Sequence, residues 1–537
     1  MSDRVMVMRE GKLVYYEVED ESLLRTLNGM TAQGLSGMMK AMGMSKSVLT
    51  KMITIDPSFM IANWMRDTLS AWVTSNANFI PVADSIKAMG DILAEDGAYM
   101  QMMMSGAGGG GFYDMTAGNM TKTLNNEMSR GASSWLPKVF RGYMKIGAAS
   151  ENSNRVAIAQ RIIAKGGSVA EAMHAAQDIM NFTMTGDYSG IRFLVRTVPF
   201  LNARMQGLYR LGRGARDNPV SFMLKGMSLA AASLALLARN WDDDDYERLP
   251  EWQKDVGWNF FVDGVQYQIP KPFEVGLLFG TFPERLVRNL AGKDKLSVSG
   301  DRLMAAFGET LAFNPIPQLF KPMYEQGANI NLFTGSPIVN MAMSGLESPY
   351  QYTPWTSEVA KGIGGMMPEW SGEAQSPLRI EHAIRAYTGT VGLYVLNAAD
   401  WAIRQSRSNL PERPAKHWYE MPVVRRIVKG EAKNSRFNKY SDRIYDAITK
   451  SDKAYRSINN LKAMGNMEEA RKVIMKRQNL MGRMTVDKKG KMHFARRDEL
   501  NKVREKMQEI NAKQRAIASH PSLDGKQKTV MLEALNR

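Results

Sequence analysis

Residues 222–238 form the most apolar run of the chain and limit what it can fold into. Phe222, Leu224, Leu229, Leu234, Leu236 and Leu237 carry its bulk, and from Ser228 to Ala238 every residue is small or aliphatic. Small residues let helices approach closely. Lys225 interrupts the run, and no uninterrupted apolar stretch reaches the roughly 18 residues of a spanning helix. The run therefore reads either as a buried helix in a bundle or subunit contact, or as a helix that enters a bilayer only in an assembled or rearranged state.

The run sits at the centre of residues 191–285. A basic, apolar helix begins this stretch at Ile191-Arg192-Phe193-Leu194-Val195-Arg196. Four acids at 242–245 follow the run and read as a solvated loop, because they lack the spaced ligands and glycine of a calcium loop. Trp258 to Pro270 alternates around Asp263-Gly264 and predicts a β-hairpin.

Elsewhere the pattern is helical. Val5 to Val18 predicts a first hairpin turning at Glu10-Gly11, and Asp20 is placed to cap a helix carrying Leu23, Leu24 and Leu27. Asp56-Pro57 starts another helix, with proline at its first position. On it, Arg66-Asp67 reads as a structural ion pair, since nothing else reactive lies nearby in sequence. The methionine- and glycine-rich stretch from Met102 to Gly111 reads as a mobile linker or as an apolar hinge that rearranges or touches membrane. It lacks the Gly-Lys-Ser/Thr of a phosphate loop. Glu151-Asn152-Ser153-Asn154-Arg155 is expected to lead a helix that Gly166-Gly167 stops, and Ser168 to Glu171 has capping-box spacing. Prolines and aromatics crowd 311–377 and predict an extended segment without long regular structure. Ser376-Pro377 then opens a helix.

The fold class expected is mainly α: an elongated multi-helix assembly with small β-hairpins at about 5–18 and 258–270 and a Pro-rich extended region. Four successive domains are expected, at 1–110, 111–310, 311–377 and 378–537. The 537 residues give ample material for a large core. Forty-one methionines suit either core filling or a protein that repacks against apolar partners.

Net charge is +16, and it is unevenly placed. Residues 401–537 carry 33 Lys+Arg against 15 Asp+Glu, whereas the rest of the chain is near neutral. Arg425, Arg426, Arg471, Lys472, Lys476, Arg477, Arg496, Arg497, Lys502 and Arg504 are the candidate basic residues facing DNA or anionic lipid, the alternative being a simply solvated basic face. Such contacts would read phosphates, not sequence. The chain has no cysteine, which excludes disulfides and thiolate chemistry. Five scattered histidines give no zinc spacing. No catalytic, metal or cofactor residue is expected. Glu151 precedes Asn152 where a lytic transglycosylase would place serine, so that enzyme is discounted. Residues 1–20 lack the basic and apolar regions of a secretory signal.

Several blocks together resemble the large polyvalent protein-associated domains of tailed-phage virion proteins. They are Tyr15-Tyr16-Glu17-Val18, Asp56-Pro57-Ser58-Phe59-Met60-Ile61-Ala62-Asn63-Trp64-Met65-Arg66-Asp67, Asp178-Ile179-Met180-Asn181-Phe182, Pro199-Phe200-Leu201-Asn202-Ala203-Arg204-Met205-Gln206-Gly207 and Pro270-Lys271-Pro272-Phe273-Glu274, with Asp524-Gly525-Lys526-Gln527-Lys528 as a weaker match. Proteins with such domains are often very long and carry attached enzymes. This chain begins almost at the domain itself, so no attached enzyme is expected. The resemblance implies an internal virion or ejection protein, stored in the virion interior and released with the genome into the host envelope. Expected partners are further copies of the chain, other ejection or portal-vertex proteins, genomic double-stranded DNA and a host membrane. The competing readings are a cell-wall hydrolase delivered with the genome and a static capsid or portal-vertex component.

Overall fold

The computed structural model describes residues 4–9, 12–17, 37–95, 97–104, 135–179, 188–294, 300, 304, 316–332, 336–340, 343–353, 355–407, 410–421, 423–431, 439–486 and 492–536. The fold is mainly α, with small antiparallel sheets. Strands β1 (Arg4–Arg9) and β2 (Lys12–Glu17) pair as the first hairpin. Its turn, the helix expected after Asp20 and residues 105–111 of the glycine-rich stretch lie outside the described residues.

The next helices are α1 (Gly37–Thr54), α2 (Pro57–Thr74), α3 (Ala83–Leu93), α4 (Gly97–Met104), α5 (Trp135–Ala164), α6 (Val169–Asp178), α7 (Ser189–Thr197), α8 (Leu201–Asp217) and α9 (Pro219–Arg239). Asp56 caps α2 by accepting from the Ser58 backbone N–H at 3.0 Å, with Pro57 at the first helical position. Ser168 caps α6 in the same way, accepting from Glu171 N–H at 3.1 Å. Gly166 ends the preceding helix in the left-handed region at φ 85°.

Two short helices follow, α10 (Asp244–Arg248) and α11 (Glu251–Val256). The acids at 242–245 are not all loop: Asp243 caps α10 by accepting from the N–H groups of Asp245 and Tyr246. Strands β3 (Gly257–Val262) and β4 (Val265–Pro270) form the second hairpin about Asp263 and Gly264, both at positive φ. Helix α12 (Phe273–Gly276) runs through a π-helical turn (Leu277–Thr281) into α13 (Phe282–Leu290). The proline-rich region carries α14 (Lys321–Ala328) and α15 (Glu358–Met366), both short, and Pro322 falls in the first turn of α14. Helix α16 (Pro377–Ser406) is broken at Gly389, which takes φ 62°. The chain ends with β5 (Val428–Glu431), α17 (Lys439–Ala463), α18 (Met467–Lys476), α19 (Gln478–Met481), β6 (Met484–Val486), β7 (Met492–Phe494), α20 (Ala495–Ser519) and α21 (Gly525–Asn536).

These elements cluster into two compact units. One comprises residues 1–232, 271–338 and 382–396; the other comprises 233–270, 339–381 and 397–537. In the first, α3, α5 and α6 enclose Phe79, Ile92, Met102, Val156 and Ile158 among many alanines. Alanine on facing helices permits the close approach that buries these larger side chains. One sequence expectation fails here. Residues 151–155 do not lead a helix but lie inside α5, with Ser153, Asn154 and Arg155 buried. Asn154 Oδ1 accepts from Thr68 Oγ1 at 3.0 Å and from Ser85 Oγ at 2.6 Å, on α2 and α3. Hydroxyls from neighbouring helices meet the Asn154 oxygen, and Asn152 and Ser153 donate to carbonyls of their own helix, so the helix continues through the polar run.

The second unit is built on the three-stranded sheet β3-β4-β5. Its buried side is polar: Asn259 Oδ1 accepts from the side-chain amides of Gln266 and Gln268, each at 3.0 Å. A separate small core of Ala454, Ile458, Ala470, Met481 and Phe494 holds α17, α18 and the β6–β7 hairpin together.

Candidate functional site

Three of the blocks quoted for the family resemblance converge on one cavity in the first unit. It has a volume of about 200 Å³ and is lined by α2, α8 and α12. Asn63, Arg66 and Asp67 come from α2, Phe200, Arg204, Gly207 and Arg210 from the start and body of α8, and Phe273 and Glu274 from α12. The residues are placed by helical spacing. Asn63, Arg66, Asp67 and Ser70 recur at three- and four-residue steps and share one face of α2. Gly207 faces the Glu274 carboxylate so closely that a Cβ would lie 2.6–2.8 Å from it. Gly207 thus leaves the space that the Glu274 carboxylate occupies.

The cavity concentrates charge. Asn63 Nδ2 donates to Asp67 Oδ2 at 2.5 Å, and Arg210 Nη2 donates to Thr74 Oγ1 at 2.8 Å. The Arg66 guanidinium lies over the Phe273 ring, 5.0 Å from its centre. Burial pushes the Asp67 carboxyl up to about 7, and the neighbouring Glu151 carboxylate pushes it the same way, against Arg210, Arg66 and Arg155. Burial brings Arg210 down to about 10, opposed by Asp67, Asp178 and Glu274. Burial also raises Glu274, opposed by a backbone hydrogen bond and by Arg204 and Arg210. A carboxyl poised near neutrality beside arginines can hold or release a proton, which is the property a general acid or base needs. Sequence reasoning set Arg66-Asp67 aside because nothing reactive adjoined it. Besides Arg66, the charged groups that perturb Asp67 come from α5 and α8, far away in the chain.

The apolar candidates occupy different faces of α9. Phe222, Leu229 and Leu237 are buried, Leu234 and Leu236 are half-buried, and Leu224 is 63 % exposed. The buried stripe is completed by Gly226, against which the Phe279 ring of the π-helical turn packs, and Phe279 also meets Phe222 edge-on at 5.4 Å. The run looked short for a span because it was measured from Phe222. The helix begins at Pro219 and has 21 residues, of which 28 % of the most apolar 18-residue window is buried. Among the described residues it is the one helix long and apolar enough to cross a membrane.

The basic candidates also divide. Arg425, Arg471, Lys472, Lys476, Arg477, Arg496 and Lys502 are exposed, and Arg426 is half-buried. Lys472 pairs with Glu469 at 2.7 Å, and Arg496 Nη1 donates to the Asn479 carbonyl at 2.8 Å. Arg497 and Arg504 converge on Asp452 of α17, and Arg497 stacks on Tyr455 at 3.9 Å. These two tie α20 to α17. Arg471, Lys472, Lys476 and Arg477 are gathered on and just beyond α18. Among the described residues no group of His, Asp and Glu is arranged to hold a metal ion.

Residues 243–424 match the family model of large polyvalent protein associated domain 38. The match supports the family resemblance read in the sequence, and with it a phage-associated domain. Of the blocks that carried the resemblance, Pro270 to Glu274 falls inside the matched residues. No curated protein and no solved structure matches the chain.

Proposed function

We propose that the chain is a phage structural protein of the ejected kind. In this reading it is stored in the virion, leaves with the genome, and oligomerises in the host envelope as part of a path for DNA, without a catalytic step of its own. The observation that carries the reading is α9, a 21-residue apolar helix long enough to cross a membrane, of which 28 % of the most apolar window is buried. The family match supports the phage association, and the exposed cations of α18 and α20 suit non-specific contact with DNA phosphates. Other ejection or portal-vertex proteins are the natural neighbours, first inside the virion and then in the periplasm or inner membrane.

Quantitative mass spectrometry on full virions and on particles that have released their DNA tests this. Presence in full particles and loss from emptied ones is expected. Retention in both would make the chain a fixed capsid or portal-vertex component.

The cavity favours a second reading, a cell-wall hydrolase delivered with the genome. Asp67 would be its acid, the kind of carboxyl raised by burial that such chemistry uses. Peptidoglycan digestion by the purified chain, lost in Asp67→Asn or Glu274→Gln, would establish the enzyme and displace the first reading.

A further inference from the structure

Helix α13 is turned inside out. Its buried face carries Glu284, Arg285 and Arg288, with Thr281 just before them. Lys271 Nζ donates to Glu284 Oε2 at 2.6 Å, and both side chains are within a tenth of full burial. Arg288 grips Asp294 through two nitrogens, at 2.9 and 3.1 Å, and Arg285 reaches the same carboxylate at 3.1 Å. The chain beyond α13 folds back to supply that acid, turning at Gly292 with φ 73°. The opposite face is apolar. Leu278, Phe282, Leu286 and Leu290 follow one another at four-residue steps and are all exposed, Leu290 at 78 %. Pro283 and Val287 fill the gaps between them.

A soluble helix normally places its charges outward and its leucines inward. Here the buried charges are held in internal ion pairs, Lys271 with Glu284 and both arginines with Asp294, so the polarity is built in. The row does not end with α13. Through Phe279 the π-helical turn rests on Phe222 and Gly226 of α9, whose own outer face shows Val220 at 72 % and Leu224 at 63 % exposed, with Met223 and Met227 beside them. Uncovered apolar side chains on two touching segments mark an interaction surface.

We infer that the outer faces of α13 and the first half of α9 together bed into the hydrocarbon edge of a lipid membrane. Three features favour lipid over a second protein copy. Every charged side chain between Leu278 and Leu290 is buried, so the outer row has no charge to desolvate in lipid. It adjoins a helix about as long as a bilayer's hydrocarbon core is thick. The exposed Lys293 follows directly, a cation at the border of the apolar row, where anionic headgroups would lie. The geometry is that of an in-plane helix buried to its apolar face. The inference rests on the membrane part of the proposed function and adds a second lipid-facing element to it.

The absence of cysteine makes the test direct. Single-cysteine variants of the full chain, L224C, L286C and L290C, with K87C as an exposed polar control, would carry an environment-sensitive nitrobenzoxadiazole label. Vesicles of phosphatidylethanolamine and phosphatidylglycerol should blue-shift the label at 224, 286 and 290 and leave it unchanged at 87. The double variant L286E/L290E should keep the wild-type melting temperature in water and lose at least tenfold in vesicle affinity. A shift at 224 alone would overturn the role of α13 and leave the membrane reading standing. No shift at any position would overturn both. A shift at 286 and 290 that needs no vesicles, follows protein concentration and accompanies dimers in sedimentation would assign the face to a second copy instead.

Discussion

Helices α13 and α18 use the same residue types in opposite senses. On α18, Arg471, Lys472 and Lys476 face solvent while Ala470 is buried and Val473 and Ile474 pack against the small core. On α13, Arg285 and Arg288 are buried and the leucines are out. The contrast teaches that an amphipathic pattern fixes the existence of two faces, not which one meets the protein. On α13 an internal acid, Asp294, decides the matter, and α18 has only surface acids on its own first turn, Glu468 and Glu469. The cations of α18 therefore lie on a solvated surface, whereas Arg497 and Arg504 of the same C-terminal quarter tie α20 to α17 through Asp452.

The sharpest way to break this comparison is to remove one cation from each helix. Arg288→Ala leaves Asp294 buried without its bidentate partner and should destabilise the chain by about 3–5 kcal/mol. Arg471→Ala on α18 should change stability by less than about 0.5 kcal/mol. Urea melts of both variants measure the difference. Equal effects would mean that the charges of α13 are solvated after all.

Glycine gives the next test. Gly226→Val would drive a side chain into the Phe279 ring and should cost about 1–3 kcal/mol. Gly212→Ala on α8 meets nothing within 4 Å and should stabilise by about 0.5–1 kcal/mol through helix propensity. Opposite signs in thermal melts are expected. A neutral Gly226→Val would separate the π-helical turn from α9 and remove the continuity of the exposed apolar face.

The cavity adds a dependence on pH. Asp67 in the folded chain titrates near 7, above its ordinary range, so the folded state keeps a proton there that the unfolded state has already lost. Its contribution is most favourable below about pH 4, declines as pH rises towards 7, and is level above that. Asp67→Asn mimics the protonated form and lacks the decline. The stability of the variant relative to wild type should therefore rise between pH 5 and pH 8, by about 1–3 kcal/mol. Parallel curves in urea melts at the two pH values would show that Asp67 is ionised throughout.

Much of the secondary structure was legible because its signals are local. Asp56-Pro57, Ser168 and Asp263-Gly264 each place a boundary from the chemistry of one or two residues. The length of α9 was misjudged because Pro219, Val220 and Ser221 precede its apolar run yet are good enough helix starters to extend it. Asn154 misled for the opposite reason. Its partners Thr68 and Ser85 are remote in sequence, and a buried polar layer then looks like a helix start. The third strand of the sheet, β5, lay more than 150 residues from β4 and carried no alternating signal of its own. The cavity was half legible: its blocks at 56–67, 199–207 and 270–274 stood out, but only the fold shows that they meet.

The smallest expected effect discriminates most finely between the two helices. Leu290→Gln on α13 removes an apolar side chain that is already 78 % exposed, so little buried area is lost and stability in water should stay within about 0.5 kcal/mol of wild type. Ile474→Gln on α18 makes the same kind of change at a half-buried position packed against the small core and should cost more, about 1–3 kcal/mol. If Leu290→Gln proved as costly as Ile474→Gln in chemical denaturation, Leu290 would be covered in solution. The outward face of α13 would then belong to the protein's own packing, and the two helices would no longer differ in kind.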